Sequence, residues 1–127
     1  EKYGFKKVKA IVQGGKERYN SVYEGLKAAN GTDYVLIHDG ARPLVDNEII
    51  VRSMHTVEKE KAVRAGMPVK DTIKVSDELG YSANTPDRKS LWQIQTPQCF
   101  EYDLLAQSYD KLFSDMSYGK KCAGNYG

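Results

Sequence analysis

Cysteine is scarce, with Cys99 and Cys122 the only two in 127 residues. They show neither metal-ligand spacing nor a disulfide-dense pattern, which points to a reducing, cytoplasmic compartment and leaves a pairing between them open. Long hydrophobic runs are missing as well. No apolar stretch approaches the roughly 20 residues of a membrane helix, and no signal peptide is read at the start, so no membrane is expected as a partner. An excess of one charge is also absent. The 19 Lys and Arg nearly balance 17 Asp and Glu, and a net charge of +2 is too small to argue for nucleic acid. There are no internal repeats and no low-complexity segment. What is present is the composition of a globular domain, 40% hydrophobic and 28% charged, at a length that supports one core.

The most informative stretch is Tyr34-Val35-Leu36-Ile37-His38-Asp39-Gly40-Ala41-Arg42-Pro43. It opens with a short apolar run of the kind a buried parallel strand shows, and the run stops at Asp39. Gly40 permits a turn that bulkier residues resist, and Pro43 favours an extended Arg42. A carboxylate at the carboxyl end of a central strand, with a guanidinium three residues on, lies where open α/β sheets bind ligands. The pair suits a phosphorylated substrate and its metal, Asp39 for Mg²⁺ or a sugar hydroxyl and Arg42 for phosphate oxygens. The plainer alternative is a strand end whose Asp caps the next turn and pairs with the Arg.

Around this stretch the chain alternates. Val8-Lys9-Ala10-Ile11-Val12 is the first strand candidate, ended by Gln13-Gly14-Gly15. From Tyr19 the pattern is helical, with Val22, Leu26 and Ala29 on one face and Asn30-Gly31 as the stop. The glycine pair before that helix is either a bare turn or a source of backbone N–H groups for phosphate or a base. After Asp39, Asp46 or Asn47 caps a helix in which Ile50, Met54 and Val57 share a face, and His55 reads as a surface residue. Strand, helix, strand, helix argues for a parallel sheet with crossover helices.

From Val63 the period becomes two, through Ala65, Met67, Val69, Ile73 and Val75. Pro68 within that pattern points to an edge or a bulge. Asp77-Glu78-Leu79-Gly80 reads as a turn, residues 81–85 as a returning strand, and Pro86-Asp87-Arg88 as its end. A two-stranded arm over about residues 65–94 has little core of its own, which makes a second subunit the natural surface for it. Leu91-Trp92-Gln93-Ile94-Gln95 is expected to return to the core, Thr96-Pro97-Gln98 to form a polar turn, and residues 102–113 to form a helix. Residues 115–127 lose all pattern and are expected to be an irregular tail.

The polar chemistry gathers in loops: Gly14-Gly15-Lys16-Glu17-Arg18 with Asn20-Ser21, Asp39 to Arg42, Asp71-Thr72-Ile73-Lys74, Thr85-Pro86-Asp87-Arg88, and Gln95-Thr96-Pro97-Gln98. In this order and spacing the loops resemble those of the 2-C-methyl-D-erythritol 4-phosphate cytidylyltransferases of the non-mevalonate isoprenoid pathway. The resemblance implies an α/β class, a Rossmann-like, doubly wound nucleotidyltransferase fold with a protruding β-arm, and a homodimer whose arms embrace. It implies transfer of CMP from CTP to 2-C-methyl-D-erythritol 4-phosphate, release of pyrophosphate and a need for Mg²⁺. Gly14, Gly15 and Ser21 fall on the family's nucleotide contacts. Asp39 and Arg42 fall where nucleotide and acceptor meet, with Asp39 toward the metal and Gly40 at a nucleotide-contact place where the family usually has Ala. Thr72, Arg88 and Thr96 fall on contacts to the acceptor, and Arg88 is the catalytic residue that would orient the attacking phosphate.

The family's opening Gly-x-Gly-x-Arg-Met loop would lie before Glu1, and its late Thr-Asp-Asp-Ala and Asn-Ile-Lys segments find no match after Leu112. The expectation is therefore a single partial domain, residues 1–127. Two alternatives stay open. One is the related ribitol 5-phosphate cytidylyltransferase, against which Lys74 and Asp87 lean. The other is a catalytically incomplete dimerisation or ligand-binding module, in which the polar loops are only caps and turns.

Overall fold

The computed structural model describes residues 4–115, so the expected tail beyond Asp115, and Cys122 within it, lie outside the described residues. The elements run α1 (Arg18–Ala28), β1 (Tyr34–Ile37), α2 (Asn47–Glu60), β2 (Ala62–Pro68), β3 (Val75–Ser76), β4 (Ser82–Asn84), β5 (Trp92–Glu101) and α3 (Tyr102–Ser114), with a 3-10 turn at Arg88–Ser90 before β5. Three strands form one sheet in the order β1-β5-β2, and β3 and β4 form an antiparallel ribbon. Of the described residues, 4–35 with 100–115 make one compact unit and 36–99 another.

In the first unit the chain turns at the end of α1, where the Ala29 N–H reaches the carbonyls of Gly25 and Leu26. Gly31 follows at φ +87°, a left-handed conformation that favours glycine. The inner side of α1 buries Leu26, whose carbonyl accepts the Tyr102 hydroxyl at 3.3 Å. Aromatic rings join α1 to α3: Tyr23 lies 4.6 Å from Phe113 and 5.5 Å from Tyr109 between ring centroids. Lys27 caps the Tyr23 ring at 4.9 Å, a cation on the negative face of the π system. Burial pushes the Tyr109 hydroxyl above its ordinary pKa, and the Arg18 charge opposes the rise.

The second unit is organised by α2. Asp46 takes the N-cap position, and its carboxylate accepts the Ile49 N–H at 2.7 Å. The helix buries Ser53 and Val57, with Ile50 and Met54 half-buried beside them, so the expected apolar stripe is the inner face. It ends at Lys61, left-handed at φ +64°, whose N–H returns to the Val57 carbonyl at 2.8 Å. Cys99 of β5 is fully buried, and its thiol bonds Ser53. Burial pushes that thiol above its ordinary pKa of 9.0, with the Ser53 bond opposing.

Three expectations need correction. Residues 8–12 form no strand, and Val8, Ile11 and Val12 are exposed. A strand needs a neighbour for its N–H and C=O groups, and none of the described residues supplies one. Thr96-Pro97-Gln98 is not a turn. It lies inside β5, with Thr96 and Pro97 buried, and the Thr96–Pro97 peptide is cis. Residues typical of turns stand in a strand there because the sheet's core closes over them. Finally, β5 occupies the middle of the sheet, and β1 has one neighbour among the described residues. The expected return of Leu91 to Gln95 to the core is thus the start of the middle strand.

The reading of Pro68 holds, since β2 lies at an edge of the described sheet and ends there. The long alternating strand, by contrast, is broken. Residues 69–74 carry no ladder, although the Val69 N–H still reaches the Leu91 carbonyl at 3.1 Å. The tip of the ribbon is tied by Asp77, one carboxylate oxygen accepting the N–H groups of Leu79 and Tyr81, with Gly80 at φ +84°.

Two outcomes follow for stability. Asp46→Ala is expected to lower it by about 1 kcal/mol, and Asp46→Ser by much less, in urea titrations of helix content. The stability that neutral, buried Cys99 contributes is complete below pH 9.0, the thiol's ordinary value, and is lost as pH rises above it. The difference between unmutated and Cys99→Ala protein should therefore shrink with alkaline pH in thermal melts. A constant difference from pH 7 to 10 would contradict the burial of the thiol.

Candidate functional site

The loop after β1 brings together four of the expected site residues, Asp39, Gly40, Arg42 and Thr96. The Asp39 N–H donates to the buried Thr96 hydroxyl at 3.3 Å, which fastens the loop to the middle of β5. The Arg42 N–H closes a tight turn on the Asp39 carbonyl at 2.9 Å. His38 Nε2 meets the Arg42 carbonyl at 2.7 Å. The two charged side chains then stand 3.9 Å apart, Arg42 Nε to Asp39 Oδ2, both partly exposed. That is longer than a charge-assisted hydrogen bond, and an exposed pair of this kind contributes little to stability. The plainer alternative, a turn whose Asp and Arg pair, is compatible with this geometry. Gly40 lies exposed in this turn, with open space where a Cβ would stand, so an Ala fits there sterically.

Arg88 begins the 3-10 turn capped by Asp87, whose carboxylate accepts the Lys89 N–H at 3.0 Å. Its guanidinium donates to the Lys70 carbonyl at 2.8 Å, next to the Asp71-Thr72-Ile73-Lys74 segment in which Thr72 lies exposed. Lys74 donates to the Thr85 hydroxyl at 2.6 Å. Arg88 is thus tied by a backbone oxygen to the residue just before the Asp71–Lys74 segment, a contact that leaves no mark in the sequence.

Gly14, Gly15 and Ser21 belong to the other unit and form their own cluster. The Gly15 N–H donates to the Ser21 hydroxyl at 3.0 Å, and Glu17 and Asn20 cap the start of α1 reciprocally. A Cβ on Gly15 would lie 2.3 Å from the Asn20 Cβ, and one on Gly14 would lie 2.9 Å from the Ser21 oxygen. The glycines are there because the loop lies against the first turn of the helix. Glu17-x-x-Asn20 departs from the usual Ser/Thr-x-x-Glu/Gln pattern, so the cap shows only in the structure. His38, also overlooked, had a signal in its place directly before Asp39 at a strand end.

Among the described residues no three His, Cys, Asp or Glu side chains gather as a metal cage. His55 is exposed and lies 3.9 Å from Glu58, as expected of a surface residue. Mg²⁺ does not require a cage. It commonly binds through one or two carboxylates together with substrate phosphates, and the Asp39 carboxylate fits that donor set. No helix among the described residues is long and apolar enough to cross a membrane.

This arrangement of strands, helices and loops is, in partial form, the Rossmann-like nucleotidyltransferase fold. The profile of the 2-C-methyl-D-erythritol 4-phosphate cytidylyltransferases matches residues 3–120, and the chain belongs to that family. The family's enzyme from Lachnospira eligens is 50% identical over 109 residues, covering 86% of this chain and 48% of the relative. That from Clostridioides difficile is 49% identical over 119 residues, covering 93% and 49%. Among solved structures, the 4-diphosphocytidyl-2C-methyl-D-erythritol synthase of Anaerococcus prevotii superposes with a TM-score of 0.75 at 36% identity, covering 84% of this chain and 49% of that one. The Thermus thermophilus cytidylyltransferase gives 0.74 at 28% identity, covering 87% and 56%. The chain spans about half the length of the curated relatives it matches.

The glycines offer a paired test. Gly15→Ala is expected to destabilise by about 1–3 kcal/mol, because its Cβ meets another Cβ rather than a flexible tip. Gly25→Ala, in mid-helix with open space around it, should stabilise by about 0.5–1 kcal/mol. Denaturant midpoints that move the same way for both variants would contradict the close approach at Gly15.

Proposed function

We propose that the protein carrying this chain transfers CMP from CTP to 2-C-methyl-D-erythritol 4-phosphate in the cytoplasm. An oxygen of the acceptor phosphate forms a bond to the α-phosphorus of CTP. The bond from that phosphorus to the bridging oxygen breaks, and pyrophosphate leaves with the electron pair. Two anions must be brought together, so catalysis amounts to holding them in line while cations offset the charge. The observation that supports this most is the Asp39–Arg42 loop, pinned to buried Thr96 with a carboxylate and a guanidinium side by side on one turn. Family membership supports the same reading.

In this reading Arg42 and Arg88 take phosphate oxygens, and Thr72 and Thr96 contact the acceptor. Gly14, Gly15 and Ser21 serve the cytidine nucleotide with their backbone and hydroxyl groups, and Gly40 lets the nucleotide approach the loop. Mg²⁺, when bound, would share the triphosphate charge, with Asp39 as its protein ligand. The protein works as a homodimer through residues 65–94. Support comes from the exposure there of Met67, Ile73, Val75, Leu79, Tyr81, Trp92 and Ile94, apolar surface with little core of its own.

The deciding experiment measures pyrophosphate release from CTP by the whole gene product, with the methylerythritol and ribitol phosphates offered side by side. Preference for ribitol 5-phosphate would reassign the acceptor, and no turnover with either would leave a binding module. Arg88→Ala should lower turnover by about 100-fold, the scale of losing one donor to a transition-state charge. Its cost in stability should stay below about 1.5 kcal/mol, since the exposed bond to Lys70 is all that is seen to be lost. Arg88→Lys should recover part of the rate, because a point charge cannot grip phosphate with two parallel bonds. Separately, Tyr81→Asp should shift sedimentation from dimer toward monomer, and an unmutated protein that is monomeric at every concentration would end the dimer proposal.

A further inference from the structure

We propose that His38 is a positioning residue that holds the turn carrying Asp39 and Arg42, a role that rests on the cytidylyltransferase reading for its catalytic meaning. Asp39 and Arg42 carry opposite charges three residues apart on a turn. Their side chains lie 3.9 Å apart as a partly exposed ion pair, and the backbone of the turn sets the points from which both extend.

Three bonds define that backbone. The Thr96 hydroxyl fixes the Asp39 end, and the Arg42 N–H to Asp39 carbonyl bond fixes the turn. Neither holds the chain where it leaves the turn. Pro43 follows Arg42 and has no N–H with which to extend the network. The Arg42 carbonyl is held by His38 Nε2 at 2.7 Å, so the imidazole spans the turn from its first residue to its last.

A carbonyl only accepts, so His38 must carry its proton on Nε2. The neutral ring is therefore committed to one tautomer. His38 is exposed and makes this contact with a backbone group, so its loss should loosen the turn without disturbing the core.

The test has a structural arm and a kinetic arm. With the ring neutral, long-range proton–nitrogen correlation spectra of the folded protein should show His38 as the Nε2–H tautomer. In His38→Leu, the Arg42 amide should exchange with solvent at least about tenfold faster, while the inner amides of α2 keep their rates. In the whole gene product, His38→Leu should lower kcat about tenfold or more with an unchanged melting temperature. His38→Gln, whose amide nitrogen lies as many bonds from the backbone as Nε2, should restore both exchange and rate. The shorter His38→Asn should not. An Nδ1–H tautomer, unchanged Arg42 exchange in His38→Leu, or full turnover by that variant would each overturn the proposal. If the unmutated protein does not turn over CTP, the proposed function fails, and the tautomer and exchange results still decide whether His38 holds the turn.

Discussion

The bond between the Asp39 N–H and the Thr96 hydroxyl ties the chemistry of this chain to its core. Thr96 is buried in the middle strand, flanked in sequence by Pro97 and close to Cys99, both also buried. A hydroxyl placed there costs desolvation unless it finds a partner, and the partner it finds is the first amide of the candidate site. The loop from Asp39 to Arg42 is therefore held by a residue whose own place is fixed by packing.

The glycine loop before α1 solves a different problem by similar means. There the backbone itself must come close to the helix, and absent side chains make room for it. The Gly15 N–H is occupied by Ser21, which orders the loop and leaves the geometry of its neighbours defined. In both clusters the backbone is set first, and the charged or polar groups take their positions from it. That order suits a reaction in which placement of phosphates matters more than covalent chemistry by the protein.

What the sequence showed and hid divides along one physical line. Local signals were legible: the Asp46 cap, the stop at Gly31, the turn at Asp77 to Gly80 and the inner stripe of α2 each depend on residues within a turn or two of one another. The non-local features were hidden. Thr96-Pro97-Gln98 has the composition of a turn and became part of the middle strand because burial overrode it. Val8 to Val12 has the composition of a strand and stayed unpaired because no neighbour is present among the described residues. The resemblance in the loops marked Asp39, Arg42, Thr72, Arg88 and Thr96 without saying what holds them. The Lys70 carbonyl under Arg88 and the Arg42 carbonyl under His38 are backbone atoms, and every residue has one.

The sheet order β1-β5-β2 also carries a consequence for synthesis. A chain grown from its amino end makes both outer strands of this trio before the strand that lies between them. Until residue 101 has emerged, β1 and β2 lack the neighbour they share among the described residues, and the edges that face it stay open. The sheet can close only late, by insertion of its middle member. Elongation that pauses before β5 would leave the nascent chain at its most association-prone, so this fold places a premium on rapid passage through the segment that joins the two.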